Sequence, residues 1–340
     1  MEKQFREGDF IETKHSLIFD VKGLVHPLHK VIAFIRYYPS KTGERKRKKQ
    51  SYEKVYSLSR RYEWLKKNFP KYLVYDHVFD EVLCEVPIID IKKHYTPVEA
   101  LERIRNKENL DSLEYMILEM ASLLRSSACI PWNSIGASGS VMMGLHTLNS
   151  DIDLVVYGSE NCKRVYSAIE TLFEDSHYPL KPYSLDELKG LFDFRSKDTL
   201  VSLEDFVKTE SRKVLQGKFM DRDYFIRFVK DYGEVGEKYG DVHYRNCGYA
   251  RIEAVVVDDS EAIFTPCTYK IENVKIVEGP KLEPIREIAS FRGRFCEQAR
   301  KGETVVAQGK IEHVSDQRSG EEYFRLLLGN KPSDYMILKI

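Results

Sequence analysis

The chain has no Cys-x-x-Cys pair: its six cysteines stand alone at 84, 129, 162, 247, 267 and 296. That spacing argues against a disulfide scaffold and against a cysteine-based zinc site. The nine histidines are dispersed as well. His26 and His29 are close but lack a partner pair, so they read as ordinary loop histidines. Net charge is also missing. Lys plus Arg number 53 and Asp plus Glu 53, so the surface as a whole does not attract nucleic acid, and any such site must be a local patch. No apolar run approaches the roughly 18 residues of a membrane span. The first ten residues, MEKQFREGDF, are charged and hold no apolar signal region, so a cytoplasmic protein is expected. There is no internal repeat, and no low-complexity tract beyond one basic segment.

What is present suits a soluble globular protein: 42% hydrophobic and 31% charged residues. A length of 340 residues exceeds one compact core, so two or three domains are expected. Abundant Lys, Glu and Arg would suit a thermophile. Residues 9–38 read as short strands, "FIETKHSLIFDVKGL" and "KVIAFIRYYP", broken by Gly, His and Pro. Six basic residues in ten follow over Lys41–Gln50. They read as a solvated hairpin tip or as a mobile loop that contacts phosphates. Tyr52, Tyr56, Tyr62 and Trp64 come next, either as stacking surfaces or as core.

Thr96-Pro97-Val98-Glu99 caps a helix over about 97–107, and Asp111-Ser-Leu-Glu114 caps a second to about 127. Residues 160–174 are helical by period, Ser184 caps another helix, and 203–215 form a further one. Residues 222–230 read as a strand, and 241–259 as two strands bent at Gly248. From 265 onward short strands with Gly turns have the spacing of a small β-barrel. The expected fold class is α+β, in three parts: a β-rich N-terminal domain (1–95), a central domain with a helical insertion (96–262), and a C-terminal barrel (263–340).

The chemistry concentrates in "GASGSVMMGLHTLNSDIDLVVYG", residues 136–158. In a strand, Asp151 and Asp153 share one face while Ile152 and Leu154 point into a core. Carboxylates about 6–7 Å apart repel, which raises at least one pKa. A divalent cation relieves this, and hard oxygen ligands select Mg²⁺ or Mn²⁺. The plainer reading is a solvent-facing pair on an edge strand. Gly139 lets a ligand approach the backbone, and Ser140 can offer a hydroxyl and an N–H to a phosphate. Gly139 and Gly144 have P-loop spacing, but Leu145-His146 stand where Lys-Ser/Thr is required, so that reading fails.

Gly139-Ser140, a ten-residue spacer containing Gly144, then Ser150-Asp151-Ile152-Asp153-Leu154 resemble the signature of the DNA polymerase beta-like nucleotidyltransferases. The motif covers residues 135–157. More loosely, the whole chain resembles predicted archaeal nucleotidyltransferases with flanking β domains. The resemblance implies a mixed sheet with flanking helices and a third carboxylate on a neighbouring strand. Glu253 in "ARIEAVVV" is the best match for that role, against an edge charge paired with Arg251, and Asp258 is the fallback on the opposite face. It further implies that Asp151, Asp153 and Glu253 hold two Mg²⁺ ions about 4 Å apart. Ser140 would hold the β- or γ-phosphate of a nucleoside triphosphate, ATP first among them. An acceptor hydroxyl would attack the α-phosphorus and pyrophosphate would leave.

Arg212, Lys213 and Lys218 are expected to contact the triphosphate, with Arg222 and Arg227 nearby in sequence; the alternative is a solvated amphipathic face. The C-terminal strands resemble an OB-type barrel. Its Arg286, Arg292, Arg294, Arg300, Lys301 and Lys310, with the 41–49 loop, make RNA the first acceptor to consider. Two other classes stay open: transfer to a protein or small-molecule hydroxyl, and a non-catalytic nucleotide- or RNA-binding module.

Overall fold

Apolar, β-branched and aromatic runs broken by Gly and Pro build the first sheet. In the computed structural model, which describes residues 4–196 and 200–339, they become β1 (Phe10–Thr13), β2 (Ile18–Val21) and β3 (Lys30–Pro39). The first three residues of the charged N-terminal segment lie outside the described residues. The basic stretch is a β-hairpin of β4 (Arg45–Arg47) and β5 (Gln50–Lys54), not a loose loop. Then come α1 (Leu58–Asn68), β6 (Leu73–Asp76), β7 (Glu81–Pro87) and β8 (Ile91–Tyr95). The strands pair in the order β4-β5-β3-β2-β1-β8, with β7 also on β3 and β6 on β7. Two separate cores result. Phe19, Val31, Ile35 and Leu65 belong to one; Phe10, Ile18, Tyr37 and Tyr52 pack with Met142 and Met143 in the other. The second core ties this sheet to the small-residue turn.

The predicted caps are in place. Thr96 caps α2 (Pro97–Arg105), and Asp111 with Glu114 forms a capping box on α3 (Ser112–Ala128). The chain continues through β9 (Ile135–Ala137), α4 (Gly139–Met142), β10 (Ile152–Tyr157), α5 (Ser159–Glu174) and β11 (Leu180–Lys181). α6 (Leu185–Arg195), capped by Ser184, α7 (Leu203–Glu210), β12 (Gln216–Phe219) and β13 (Arg222–Val229) follow. The helix expected over 203–215 stops at Glu210, and Leu215 already bonds to Ile226 as the next strand begins. The second sheet has the order β11-β12-β13-β10-β9, and β10 and β13 are parallel. Parallel neighbours need a crossover, and α5 begins it. α3 and α5 pack on β10. Ile152, Leu154 and Val156 are fully buried, each worth roughly 1.5–3 kcal/mol against exposure, so the register of β10 is firmly held. Val155 and Tyr157 alternate to the opposite face and pack with Leu24 and Val98.

The third sheet comprises β14 (Val242–Asp258), β15 (Cys267–Glu278), β16 (Ile285–Ser290), β17 (Thr304–Asp316), β18 (Glu321–Leu328) and β19 (Tyr335–Leu338). Five strands pair in a ring, β14-β15-β16-β18-β17 and back to β14, with β19 added on β17. β16 and β18 are parallel. The two strands expected over 241–259 are one long strand whose register shifts between Asn246 and Tyr249, around Gly248.

The fold is α+β, with three sheets and, among the described residues, seven α-helices. Where three consecutive domains were expected, the chain forms two compact units. One is Met1–Val74, Leu83–Lys181 and Leu215–Gly236; the other is Tyr75–Val82, Pro182–Val214 and Glu237–Ile340. The boundaries moved for two reasons. The N-terminal sheet shares a core with α4, and β14 belongs to the C-terminal ring. Among the described residues no helix is long and apolar enough to cross a membrane. Asp111→Ala removes the acceptor for two N–H groups of α3 and should cost about 1 kcal/mol, read as a lower denaturation midpoint by circular dichroism.

Candidate active site

The site begins where β9 hands over to β10. Ser138 N–H donates to the Asp153 carbonyl (2.9 Å), and its hydroxyl donates to the Gly8 carbonyl (2.9 Å). The next residue is Gly139, at φ +63°. A Cβ there would stand 2.0 Å from Asp153 Oδ2, so no side chain fits without displacing that carboxylate. Ser140 is buried, and its hydroxyl has no hydrogen-bond partner among the described residues. Leu145 N–H donates to the Ser140 carbonyl and closes the turn (2.9 Å). Arg45 of the basic hairpin pins the far side, donating to the Leu145 carbonyl (2.8 Å) and to Ser150 Oγ (3.2 Å). Arg47 pairs with Glu12 (2.8 Å). Arg45 and Arg47 therefore brace the turn and the sheet, while Lys41, Lys46, Lys48 and Lys49 of the same segment are exposed.

Asp151 and Asp153 have neither a hydrogen bond nor an ion pair on their carboxylates among the described residues. Asp151 is exposed as a whole residue, yet the protein packed around its carboxyl withdraws it from water and pushes its pKa up to about 6, and repulsion from Asp153 and Asp223 adds to it. Burial also raises Asp153, against the pull of Lys54, Arg227 and Arg36. Asp223 is the neighbouring-strand acid that sequence reasoning missed. Ile152 pairs in register with Tyr224, so one step back Asp151 lies beside Asp223 on the same face. Lys218 on β12 holds the Asp223 carboxylate at 3.0 Å. The signal in the sequence was only Arg222-Asp223 at the start of a predicted strand.

Two cations from the N-terminal sheet face these carboxylates. Lys54 on β5 is half-buried, and its amine is lowered to about 8, first by burial and then by Arg36, against the opposing pull of Asp153 and Asp151. Neither Lys54 nor Arg36 was singled out from sequence. Lys54 also lines a cavity of about 230 Å³ with Tyr38, Arg60, Trp64 and Lys67.

Several expected positions are corrected. Glu253 lies on β14 in the third sheet, not on a neighbour of β10, and its carboxylate pairs with Lys339 (2.5 Å). That pairing lowers its pKa instead of poising it for a metal. Asp258, the fallback, is at the end of the same strand and pairs with Lys270 (3.6 Å). Arg212 is held by both oxygens of Glu303 (2.5 and 2.7 Å), and Lys213 is buried against Glu210 (2.6 Å) and the Arg294 carbonyl (2.8 Å). These two cations are already neutralised by carboxylates. Lys218 does lie on the face of Asp151, through Asp223. Arg227 is tied to Glu7 (2.8 Å). In the C-terminal ring, Lys310 is buried between Glu81 (2.7 Å) and Glu312 (2.9 Å), and Arg286 pairs with Glu321 (3.6 Å). These two are paired with carboxylates, while Arg300 and Lys301 of the expected track are exposed.

Among the described residues no three His, Cys, Asp or Glu side chains form a ready-made metal cage. The unpaired Asp151–Asp153 pair fits a different arrangement. Mg²⁺ or Mn²⁺ is commonly held by one or two carboxylates, with the remaining positions filled by water and substrate phosphate.

The chain is 36% identical over 333 residues, 95% of each chain, to a protein of Methanocaldococcus jannaschii described as "Uncharacterized protein MJ1086". The two belong to one family. No family model matches the chain, and no solved structure does. The family thus spans this whole architecture, both units included.

Because the folded Asp151 carboxyl is raised, its contribution to stability is fully present below the ordinary carboxylate value and is lost as pH rises through about 6. Mg²⁺ should offset that loss. We expect Mg²⁺ to raise the melting temperature clearly at pH 7.5 and little at pH 5; equal shifts at both would count against the site. Asp151→Asn should raise the melting temperature without divalent ions at pH 7.5 and erase the Mg²⁺ response. Gly139→Ala should destabilise the chain by more than about 1 kcal/mol and weaken the same response, as scanning calorimetry would show.

Proposed function

We propose that the chain transfers a nucleoside monophosphate from a nucleoside triphosphate to an acceptor hydroxyl. The observation that carries this is the unpaired Asp151–Asp153 pair set against a turn whose glycine makes room for the Asp153 carboxylate. On this reading the chain carries a polymerase beta-like core, with the motif resemblance as its support.

Asp151 and Asp153 hold the ion. Gly139 lets the triphosphate lie close to the backbone, and the free Ser140 hydroxyl donates to a phosphate oxygen. Asp223, beside Asp151, takes the place the motif assigns to the third carboxylate. Mg²⁺ or Mn²⁺, when bound, screens the triphosphate and lowers the pKa of the acceptor hydroxyl. The acceptor oxygen forms a bond to the α-phosphorus as the bond to the bridging oxygen breaks. Pyrophosphate leaves, and the hydroxyl proton passes to a carboxylate of the site. ATP is the first donor to test.

RNA is the acceptor we put first. The ring of five strands, with its third and fifth strands parallel and its first paired to its fourth, has an OB-like order, and such barrels bind single strands. A protein or small-molecule hydroxyl is the second reading, favoured by the neutralised Lys310, Arg212 and Arg286.

Incubation with each labelled triphosphate, Mg²⁺ and either total RNA or total protein should label one acceptor class. Asp153→Asn should abolish labelling, and Ser140→Ala should slow it roughly ten- to a hundredfold. Full activity in Asp153→Asn would remove the reading. Labelling of RNA that is insensitive to salt would move the acceptor to the second class.

A further inference from the structure

The resemblance gives no role to the N-terminal sheet, yet two of its cations act electrostatically on the site. β3 and β2 pair Tyr37 with Ile18 and then Ile35 with Phe19, which leaves Arg36 as the extra residue of a β-bulge. Bulges re-aim a side chain. Here the guanidinium acts on Asp20 and Asp153, and it makes no ion pair or side-chain hydrogen bond among the described residues. Lys54 pairs in register with Tyr37, so it shares the face that packs on Met142 and Met143 of the signature turn. It too has no ion pair, and its ammonium lies 4.5 Å over the Tyr56 ring. Elsewhere in the same unit, cations are spent on carboxylates: Lys22 and Arg227 on Glu7, Arg47 on Glu12, Lys218 on Asp223. Two half-buried cations left open beside two open carboxylates make a site of both signs. A metal-bound polyphosphate has the matching pattern, with cation toward the aspartates and phosphate oxygens toward the side-chain donors.

We infer that Arg36 and Lys54 bind the triphosphate of the nucleoside triphosphate, in place of Arg212 and Lys213. The inference rests on the nucleotidyltransferase reading. It makes the N-terminal sheet part of the substrate site, so the signature turn with Ser140 and the other two phosphate donors, Arg36 and Lys54, come from different parts of the unit. Arg36 suits a bidentate contact to phosphate oxygens; Lys54 supplies a point charge.

The test is equilibrium binding of Mg²⁺–ATP and of inorganic tripolyphosphate with Mg²⁺, by calorimetry, to the full chain. Arg36→Gln and Lys54→Gln should each weaken both ligands about tenfold or more. Lys54→Arg should recover most of the loss. Lys46→Gln, exposed on the adjacent hairpin strand, should change nothing. Melting curves show whether each variant is folded, and Lys54→Arg keeps the test open if Lys54→Gln is not. A single-stranded RNA 12-mer serves as the second arm. Loss of its binding with ATP and tripolyphosphate affinity unchanged would assign these cations to the acceptor and overturn the inference. Unchanged binding of all three ligands would overturn it as well. If the unsubstituted chain binds neither ATP nor tripolyphosphate, the nucleotidyltransferase reading itself falls, and this inference with it.

Discussion

Two like charges on one strand face, left without a hydrogen bond, are the constraint around which the first unit is arranged. Asp151 and Asp153 repel each other, and burial makes both harder to ionise. β10 tolerates this because its other face is buried against α3 and α5, and because β13 and β9 fix it from both sides. A less firmly packed strand would relax by turning one carboxylate away. Gly139, having no side chain, gives the Asp153 carboxylate the place it occupies against the turn.

Charge elsewhere in the unit is closed off locally. Glu7, fully buried, takes Lys22, Arg227 and the Gly23 N–H. Glu12 takes Arg47 and the Tyr95 hydroxyl. Glu7 and Glu12 are satisfied in this way, yet the Asp151–Asp153 pair is left open, and perturbed carboxylates of this kind are where functional sites cluster. The basic hairpin shows the same economy. Its charge density suggested a surface for nucleic acid, but Arg45 and Arg47 are turned inward to brace the turn and the sheet.

Local features were legible in the sequence and long-range pairings were not. The caps at Thr96, Asp111 and Ser184 depend on contacts within three or four residues, and each is where the pattern put it. The turn at Gly139 and the shared face of Asp151 and Asp153 are equally local. Glu253 failed because period-two alternation says which residues share a face but not which sheet a strand joins. "ARIEAVVV" suits the C-terminal ring as well as a neighbour of β10. Asp223 was hidden for the same reason, since its importance lies in a parallel register with Ile152-Asp153 that a short strand does not announce. Arg212 misled because its carboxylate partner, Glu303, is far along the chain, whereas Lys213 pairs with Glu210 only three residues back, a spacing the sequence did show. Arg36 depended on a bulge, which leaves no periodic trace.

The hairpin tip 75–82 belongs with residues from the far end of the chain: Val78 accepts from Tyr244 N–H (2.7 Å), and Asp80 accepts from Asn246 N–H (2.9 Å). The two units are therefore threaded through each other in sequence, three segments apiece. On the ribosome, the tip must wait for more than 160 residues to emerge before its partners exist, and the first unit cannot close until β13 has been made. Neither unit can be cut out as a continuous stretch of gene. A shortened version would have to be circularly rearranged or stitched with new loops, and evolution could lose or exchange the ring only by rewriting the N-terminal sheet as well.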